Sequence, residues 1–540
     1  MAIRNSRPLK WTPSGISDAL DGGNAFPGAM TQLANLIPDP TTKGLFMCRP
    51  AAVALAGFPP SPAITAFISA SLVVGNQIYF MAGISGGVDR PYCYDLSANA
   101  FVAVSGVVPS GGGANCPTSQ LSTGAWTPPI MKLVGTRIVV THPGFSAASG
   151  NYVGWINIST PSAPAWSAGN TATNVLPSVP TGVAQFGGRA YYICGNALNA
   201  SDSGNPLVIT NATQVLTIGD STAVTALAQL PLATTSGGVV QSLIAFKGAV
   251  TMYQITGDFA TSTWAVNQLN VATGTDAPLS ICDTPAGIAF ISPDGLRLID
   301  YGANVSEPIG DGGDGITNPF INAVTPSRIV GASTADTLRF SVQNNVAAGT
   351  PWQEYWFDFS RKIWTGPHTC AAAAIQPWGS TFVMAPQFDT IALYTSAAYP
   401  SALAIFTEDG ATLTWDFQTV LLPDSGGMNE NCLNETAVMM QLPAQQQVDC
   451  SFQDEDGTVL NSVSLFNSAS AGPVWGSFTW GAATWGSTSV LKQRQIPWEK
   501  PLVFKQGSLL LHGNSSGQVR IGNLYMRFEQ LGYLLQDTGT

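Results

Sequence analysis

Along most of the chain, short apolar runs alternate with small or polar residues at a period of two and break at Gly, Asn or Asp. The pattern is clearest from Ile281 to Gly302, ICDTPAGIAFISPDGLRLIDYG, where Ile288, Phe290, Leu296 and Leu298 alternate with smaller or polar neighbours around Pro293-Asp294-Gly295. Successive side chains of a strand face opposite sides, and Asp and Gly accept the left-handed backbone of a tight turn, so this stretch predicts a β-hairpin. The same design recurs in LVVGNQIYF from Leu72, MKLVGTRIVV from Met131, VAQFGGRAYY from Val183, LIAFKGAVTMY from Leu243, STADTLRFSV around Asp336 and AIQPWGSTFV from Ala374. Taking Gly75, Gly135, Gly188, Gly248, Gly287, Asp336 and Gly379 as the turns, the successive gaps are 60, 53, 60, 39, 49 and 43 residues. A strand-rich unit repeating every forty to fifty residues marks the blades of a propeller, here about six to seven over residues 61–400, with loop insertions accounting for the unequal gaps.

The flanks read differently. Residues 1–60 contain Pro27, Pro38, Pro40 and Pro50 and predict an extended arm, polyproline-like or an edge strand. Such an arm packs either on the far end of its own chain or on a neighbouring subunit, with Phe26 and Met30 as candidate interface residues. From about 401 to 540 the alternating runs lengthen, as in ALAIFTEDGATLTWDFQTVLL and AQQQVDCSFQDEDGTVLNSVSLF, with turns at Asp409-Gly410 and Asp456-Gly457. They predict a β-sandwich or platform domain, completed by the N-terminal arm. Trp475, Trp480 and Trp485, each followed by Gly, step by five residues, which fits neither strand nor helix. They read as successive turns, each pinned by one indole, serving either the sandwich core or docking onto another subunit. In YWFDFSRKIWTGPHT, Trp356, Phe357, Phe359 and Trp364 read as core between blades, with a carbohydrate platform as the alternative.

Composition narrows the class. Only 10% of residues are charged, against 56 Gly and 37 Pro, so the Glu, Lys and Arg of long surface helices are missing and the fold is expected to be all-β. The eight cysteines lie far apart, without a Cys-x-x-Cys pair or a nearby histidine, and read as buried hydrophobes. A net charge of −11 leaves few cations to grip nucleic acid. The N-terminus lacks the apolar core of a signal peptide, and the apolar stretch from Pro50 to Gly75 is broken by Pro59, Pro60 and Pro62, so a cytoplasmic product with no membrane segment is expected.

Catalytic signatures are thin. Gly83-Ile-Ser85-Gly-Gly87 and Gly513-Asn-Ser515-Ser-Gly517 fit the nucleophile-elbow spacing, but no helix pattern follows either. His142, His368 and His512 are spread too widely for a triad or metal motif, and Asp311-Gly-Gly-Asp314-Gly lacks the ligand pattern of a calcium loop. No catalytic, cofactor or metal residues are assigned.

Three segments carry a resemblance. PGAMTQLANLIPDPTTKG followed by CRPA, the SPDGLRLIDYG hairpin, and PWEKPLVFKQGSLLLHGNSSGQVRIGNLYMRF together cover about a fifth of the chain. They resemble tail nozzle proteins of short-tailed bacteriophages, also called packaged-DNA stabilisation proteins. The resemblance implies a non-enzymatic virion protein, assembled in the host cytoplasm as a ring of six copies below a dodecameric tail adaptor and flanked by tail fibres or tailspikes. Its channel would retain packaged DNA and conduct it at ejection, without cofactors. Six copies would total −66, and a wall of the same sign as phosphate does not adsorb passing duplex within the screening distance of about 8 Å. Retention then falls to loops that close the pore, with Asp311 and Asp314 as the candidate gate. The competing reading is a carbohydrate-binding or glycan-cleaving propeller used in host surface recognition.

Overall fold

The computed structural model describes residues 5–18, 27–107, 115–119, 127–233, 239–257, 264–269, 272–309, 315–343, 352–387, 389, 391–399, 406–408, 410–422, 430–468, 490–515 and 517–531. The chain is nearly all β, with helix limited among these residues to Asn318–Ile321 and a few single 3-10 turns.

Six separate sheets stand as blades around a common axis. The first is a meander of Ile64–Val74, Gln77–Ile84, Val88–Asp95 and Ala100–Val102. The second to fifth open with Ile130–Val134, Gly182–Phe186, Ala226–Ala233 and Cys282–Thr284, and the last opens with Ala372–Trp378. A further four-strand meander, Val330–Ser333 to Ile363–His368, sits between the fifth and the last and brings the ring to seven. Unlike the others it continues into the neighbouring domain as part of an eleven-stranded sheet. Alternation accounts for the packing, since Ile78 and Phe80 of one face and Tyr79 and Met81 of the other enter different inter-blade cores.

The repeat is more regular than the turn glycines suggest. In six blades the predicted turn joins the first strand to the second, but Gly248 joins the second strand of its blade, Val239–Lys247, to the third, Thr251–Thr256. The first and second strands of that blade, Ala226–Ala233 and Val239–Lys247, follow each other about a dozen residues before Gly248, so the gaps of 60 and 39 on either side of Gly248 come from a hairpin shifted by one strand and not from an insertion.

The arm is not an edge. Ala29–Ala34 lies inside the eleven-stranded sheet, between Ile363–His368 and Ala411–Thr419. Leu45–Cys48 pairs with the last strand, Arg520–Leu531, and Asn5–Trp11 pairs farther along the same strand. Val53–Ala54 adds the outer strand to the last blade by pairing with Tyr394 and Thr395, so the propeller is closed by residues from the opposite end of the chain. The prolines are accommodated at strand ends, as at Pro38, and between strands, as at Pro50.

The platform is a two-sheet sandwich. One layer is the far half of the eleven-stranded sheet, running Ala411–Thr419, Gly507–Ser515, Gln447–Asp454 and Val459–Phe466. The other is a seven-stranded sheet in which Glu430–Gln441 and Arg520–Leu531 are central and Lys492–Ile496 lies at one end. Trp415, Phe417, Leu511, Met440 and Leu524 are fully buried between them. Gly513 is required there, because a Cβ would stand 2.5 Å from the Trp415 ring. The same core reaches Phe357, Trp364 and Phe340 of the sixth blade, while Trp356 packs against the seventh, so these aromatics are core.

Candidate functional site: the propeller axis and the platform junction

Seven inner strands converge on the axis and leave little room, which is why small residues such as Ala70, Ala184, Ala228, Ala332 and Ala374 line it. They enclose a cavity of about 430 Å³ to which every blade contributes. Each contributes polar residues, among them Ser71, Lys132, Gln185, Gln229, Asp283, Ser333 and Gln376. Lys132 and Asp283 are its only ammonium and carboxylate. Lys132 keeps contact with solvent but is surrounded by protein, and this desolvation pulls its ammonium below the usual lysine range while Asp283 opposes the shift. Cys282 also lines the cavity, and burial pushes its thiol well up, which leaves it a poor nucleophile.

The densest polar cluster lies where arm, sixth and seventh blades and platform meet. Arg49 is fully buried and donates through Nη1 and Nη2 to both oxygens of Glu408, at 2.9 and 2.7 Å. It also donates to Asn35 Oδ1 at 2.8 Å and to Thr369 Oγ1 at 2.9 Å, so one side chain ties the arm to the platform and to the end of the sixth blade. Burial favours protonation of Glu408, but Arg49 and the Ala52 amide outweigh it and hold the carboxyl below its ordinary range.

A second bidentate pair sits beside it. Arg339 donates to both oxygens of Glu354 at 2.8 Å and to Ser396 of the seventh blade at 2.9 Å, with Trp356 and Phe382 on its faces at 4.4 and 4.7 Å. The Cys370 thiol, pushed well up by burial, stays protonated and donates to Glu354 at 2.7 Å. His368 accepts the Asn35 amide hydrogen at Nδ1 (2.9 Å), which leaves Nε2 to donate to Thr365 at 3.1 Å. Burial, with Arg49 and Arg339 adding to it, holds its pKa well below the usual histidine value. All donors and acceptors here are matched within the chain, which is the chemistry of a fastening and not of a reaction.

The remaining candidates are structural. Ser85 lies in the turn of a hairpin and Ser515 is buried at a strand end, neither beside a histidine. His142 donates from Nε2 to Asp89 at 2.7 Å, but Ser69 also donates to Asp89, so the hydroxyl faces the carboxylate and not the imidazole that a triad would place there. All eight cysteines are free thiols. Met30 is fully buried within its own chain, paired with Thr419 and packed in the platform core, and so does not serve a neighbour. Phe26, Asp311, Asp314, Trp475, Trp480 and Trp485 lie outside the described residues. Sequence reasoning missed the two arginine pairs. The available signal was a charge inside an apolar strand, as Arg339 in TLRFSV and Glu354 in QEYWFD, in a chain poor in charge.

No family model and no curated protein matches the chain. Among solved structures it is similar to BBS1N in complex with ARL6DN, at 10% identity over 66% of this chain and 99% of that one, with a TM-score of 0.36. It is also similar to the SapL1 lectin in complex with alpha methyl fucoside, at 15% identity over 56% and 95% with a TM-score of 0.29. For puromycin hydrolase the values are 12%, 66% and 58%, with a TM-score of 0.33. At these identities and scores the likenesses bear on neither ligand nor activity.

Proposed function

We propose that this chain is a tail nozzle of a short-tailed phage, a passive structural ring component that retains packaged DNA and conducts it at ejection. The observation that carries the reading is the continuity of propeller and platform. One sheet runs from the sixth blade through the arm strand Ala29–Ala34 into the sandwich, and the arm then closes the propeller at Val53–Ala54. Two domains joined by a shared sheet and a buried ion-pair cluster have no hinge, which suits a wall that must bear load without changing shape.

A cavity of about 430 Å³ has the size of a small-molecule pocket and does not admit a duplex, so on this reading the conduit lies between copies and not along the propeller axis. The acidic balance agrees with a lumen that does not bind its cargo. Glycan recognition finds less support. The exposed aromatics Trp264, Tyr301 and Phe466 lie on the fourth blade, the fifth blade and the platform edge and build no common platform, and the axial cavity offers a single carboxylate where glycoside cleavage uses two.

The test is electron microscopy and mass photometry of the purified full-length chain, with host polysaccharide binding and depolymerisation measured in parallel. Rings with an open centre are expected. A monomer that binds or cleaves the polysaccharide would overturn the proposal.

A further inference from the structure

Both platform sheets end in a strand whose outer side has no strand partner among the described residues. One is Val459–Phe466, at the end of the eleven-stranded sheet, and the other is Lys492–Ile496, at the end of the seven-stranded sheet. A free edge presents a row of unpaired amide and carbonyl groups and is a template for another strand.

The strand Val459–Phe466 is itself uncharged, and the carboxylates lie on the strand and turn that lead into it, whereas Lys492 and Arg494 stand on the second edge strand. Residues 447–466, the hairpin that ends in the first edge, hold Asp449, Asp454, Glu455 and Asp456 and no Lys or Arg. Residues 490–505, which form the second edge and its continuation Leu502–Phe504, hold Lys492, Arg494, Lys500 and Lys505 against the single Glu499. With 21 Lys and Arg in 540 residues, a window of that length would carry fewer than one on average.

Neither set is neutralised within the chain. The carboxylates of Asp449 and Asp454 meet hydroxyl and amide groups, Glu455 lies near the Gln506 amide, and none forms an ion pair among the described residues. Arg494 is half-buried with its Nε unbonded, and the resulting desolvation lowers its pKa with no carboxylate to offset it. Large apolar side chains are exposed on both edges as well, Val459 and Phe466 on one and Val490 and Val503 on the other.

We infer that copies of this chain join head to tail by pairing the edge Val459–Phe466 of one, which follows the acidic run Asp454-Glu455-Asp456, with the basic edge Lys492–Ile496 of the next. This rests on the ring reading above and names its contact. Two basic edges repel, and the acidic run beside the other edge attracts the basic strand, so unlike edges are favoured and the contact is not two-fold. A head-to-tail contact between unlike surfaces closes into a ring when its rotation allows. The occupant of each edge is therefore a second copy of this chain, and the added backbone hydrogen bonds give affinity while the charges set which edges meet.

The experiment uses the full chain. Lys492→Glu with Arg494→Glu is expected to raise the concentration for half-assembly at least tenfold, and Glu455→Lys with Asp456→Lys to do the same. All four together restore opposite signs, and assembly is expected to return. Circular dichroism and melting of each variant report folding. As a readout independent of charge, Ser462→Cys with Gln493→Cys or Gln495→Cys, all at exposed mid-strand positions, is oxidised and run on a denaturing gel. A ladder beyond the dimer supports the pairing. A product that stops at the dimer overturns it in favour of a two-fold contact. Rings that persist in both reversal variants and give no cross-link overturn the edge contact while leaving the ring reading intact. A wild-type chain that stays monomeric and uncross-linked at micromolar concentration overturns both.

Discussion

Replacing Arg49 by Met removes the cation that neutralises buried Glu408 and takes a donor from the Pro50 carbonyl, Thr369 Oγ1 and Asn35 Oδ1, of which Asn35 keeps the Thr369 amide. Breaking one side of a buried ion pair costs about 3–5 kcal/mol, because the partner is left charged in a site without water. With an unfolding entropy of about 2.1 cal/mol/K per residue, 540 residues unfolding as one unit give about 1.1 kcal/mol/K, so the melting temperature should fall by roughly 3–4 °C. The shared sheet is the reason to expect one unit. Adding Glu408→Leu removes the stranded carboxylate, and the double variant should recover at least half of the loss, though not all, since the Pro50 carbonyl still lacks Arg49 and the Ala52 amide now loses Glu408. Scanning calorimetry on the four chains of this cycle gives the coupling directly. A single variant that melts within 1 °C of the wild type, or a double variant as unstable as the two single losses added, would refute the idea that this pair fastens arm to platform.

The junction also sets a pH dependence. His368 has a folded-state pKa below its unfolded value of about 6.5, so its contribution is intact above that pH and is lost as pH falls below it. The slope of stability between pH 6.5 and 5 should shrink in His368→Gln, and an unchanged slope would exonerate this residue. Glu408, whose pKa is also depressed, acts at lower pH, its contribution present above about 4.5 and lost on further acidification. Gly287→Ala should be far worse than Gly75→Ala. Both have positive φ, but a Cβ at 287 meets the Ile299 carbonyl oxygen at 2.0 Å whereas one at 75 meets nothing, so thermal melts should show a loss of about 1 kcal/mol at 75 and several at 287. Native thiol titration should find Cys282 reacting slowly and the seven buried cysteines silent until denaturant is added, and a fast-reacting second thiol would contradict the packing.

Charge is unevenly spread over the chain. The outer strands of the blades are short, such as Ala100–Val102 and Val215–Thr217. Short edges are poor templates for aggregation. The platform's exposed edges differ, since Val459–Phe466 is uncharged and Lys492–Ile496 carries two cations that disfavour its pairing with itself.

Local sequence was enough for the fold class. Period-two alternation broken by Gly, Asn and Asp sets strand, turn and strand without help from the rest of the chain, and scarce Glu, Lys and Arg disfavour helix. The blades, the Asp456-Gly457 hairpin and the burial of the cysteines were legible for that reason. Which hairpin within a blade each glycine closes was not, because the second turn of a meander looks like the first; Gly248 shows the ambiguity. Nor was the fate of the arm. Ala29–Ala34 becomes an inner strand only because Ile363–His368 and Ala411–Thr419, more than 300 residues away, leave a gap of one strand between them. Arg49 and Glu408 look like ordinary charged residues in the sequence, and it is the closure of the propeller by the arm that brings them together and excludes the water around them. Short-range sterics and alternation fixed the strands; long-range pairing, invisible to any local window, decided which of them became core, edge and lock.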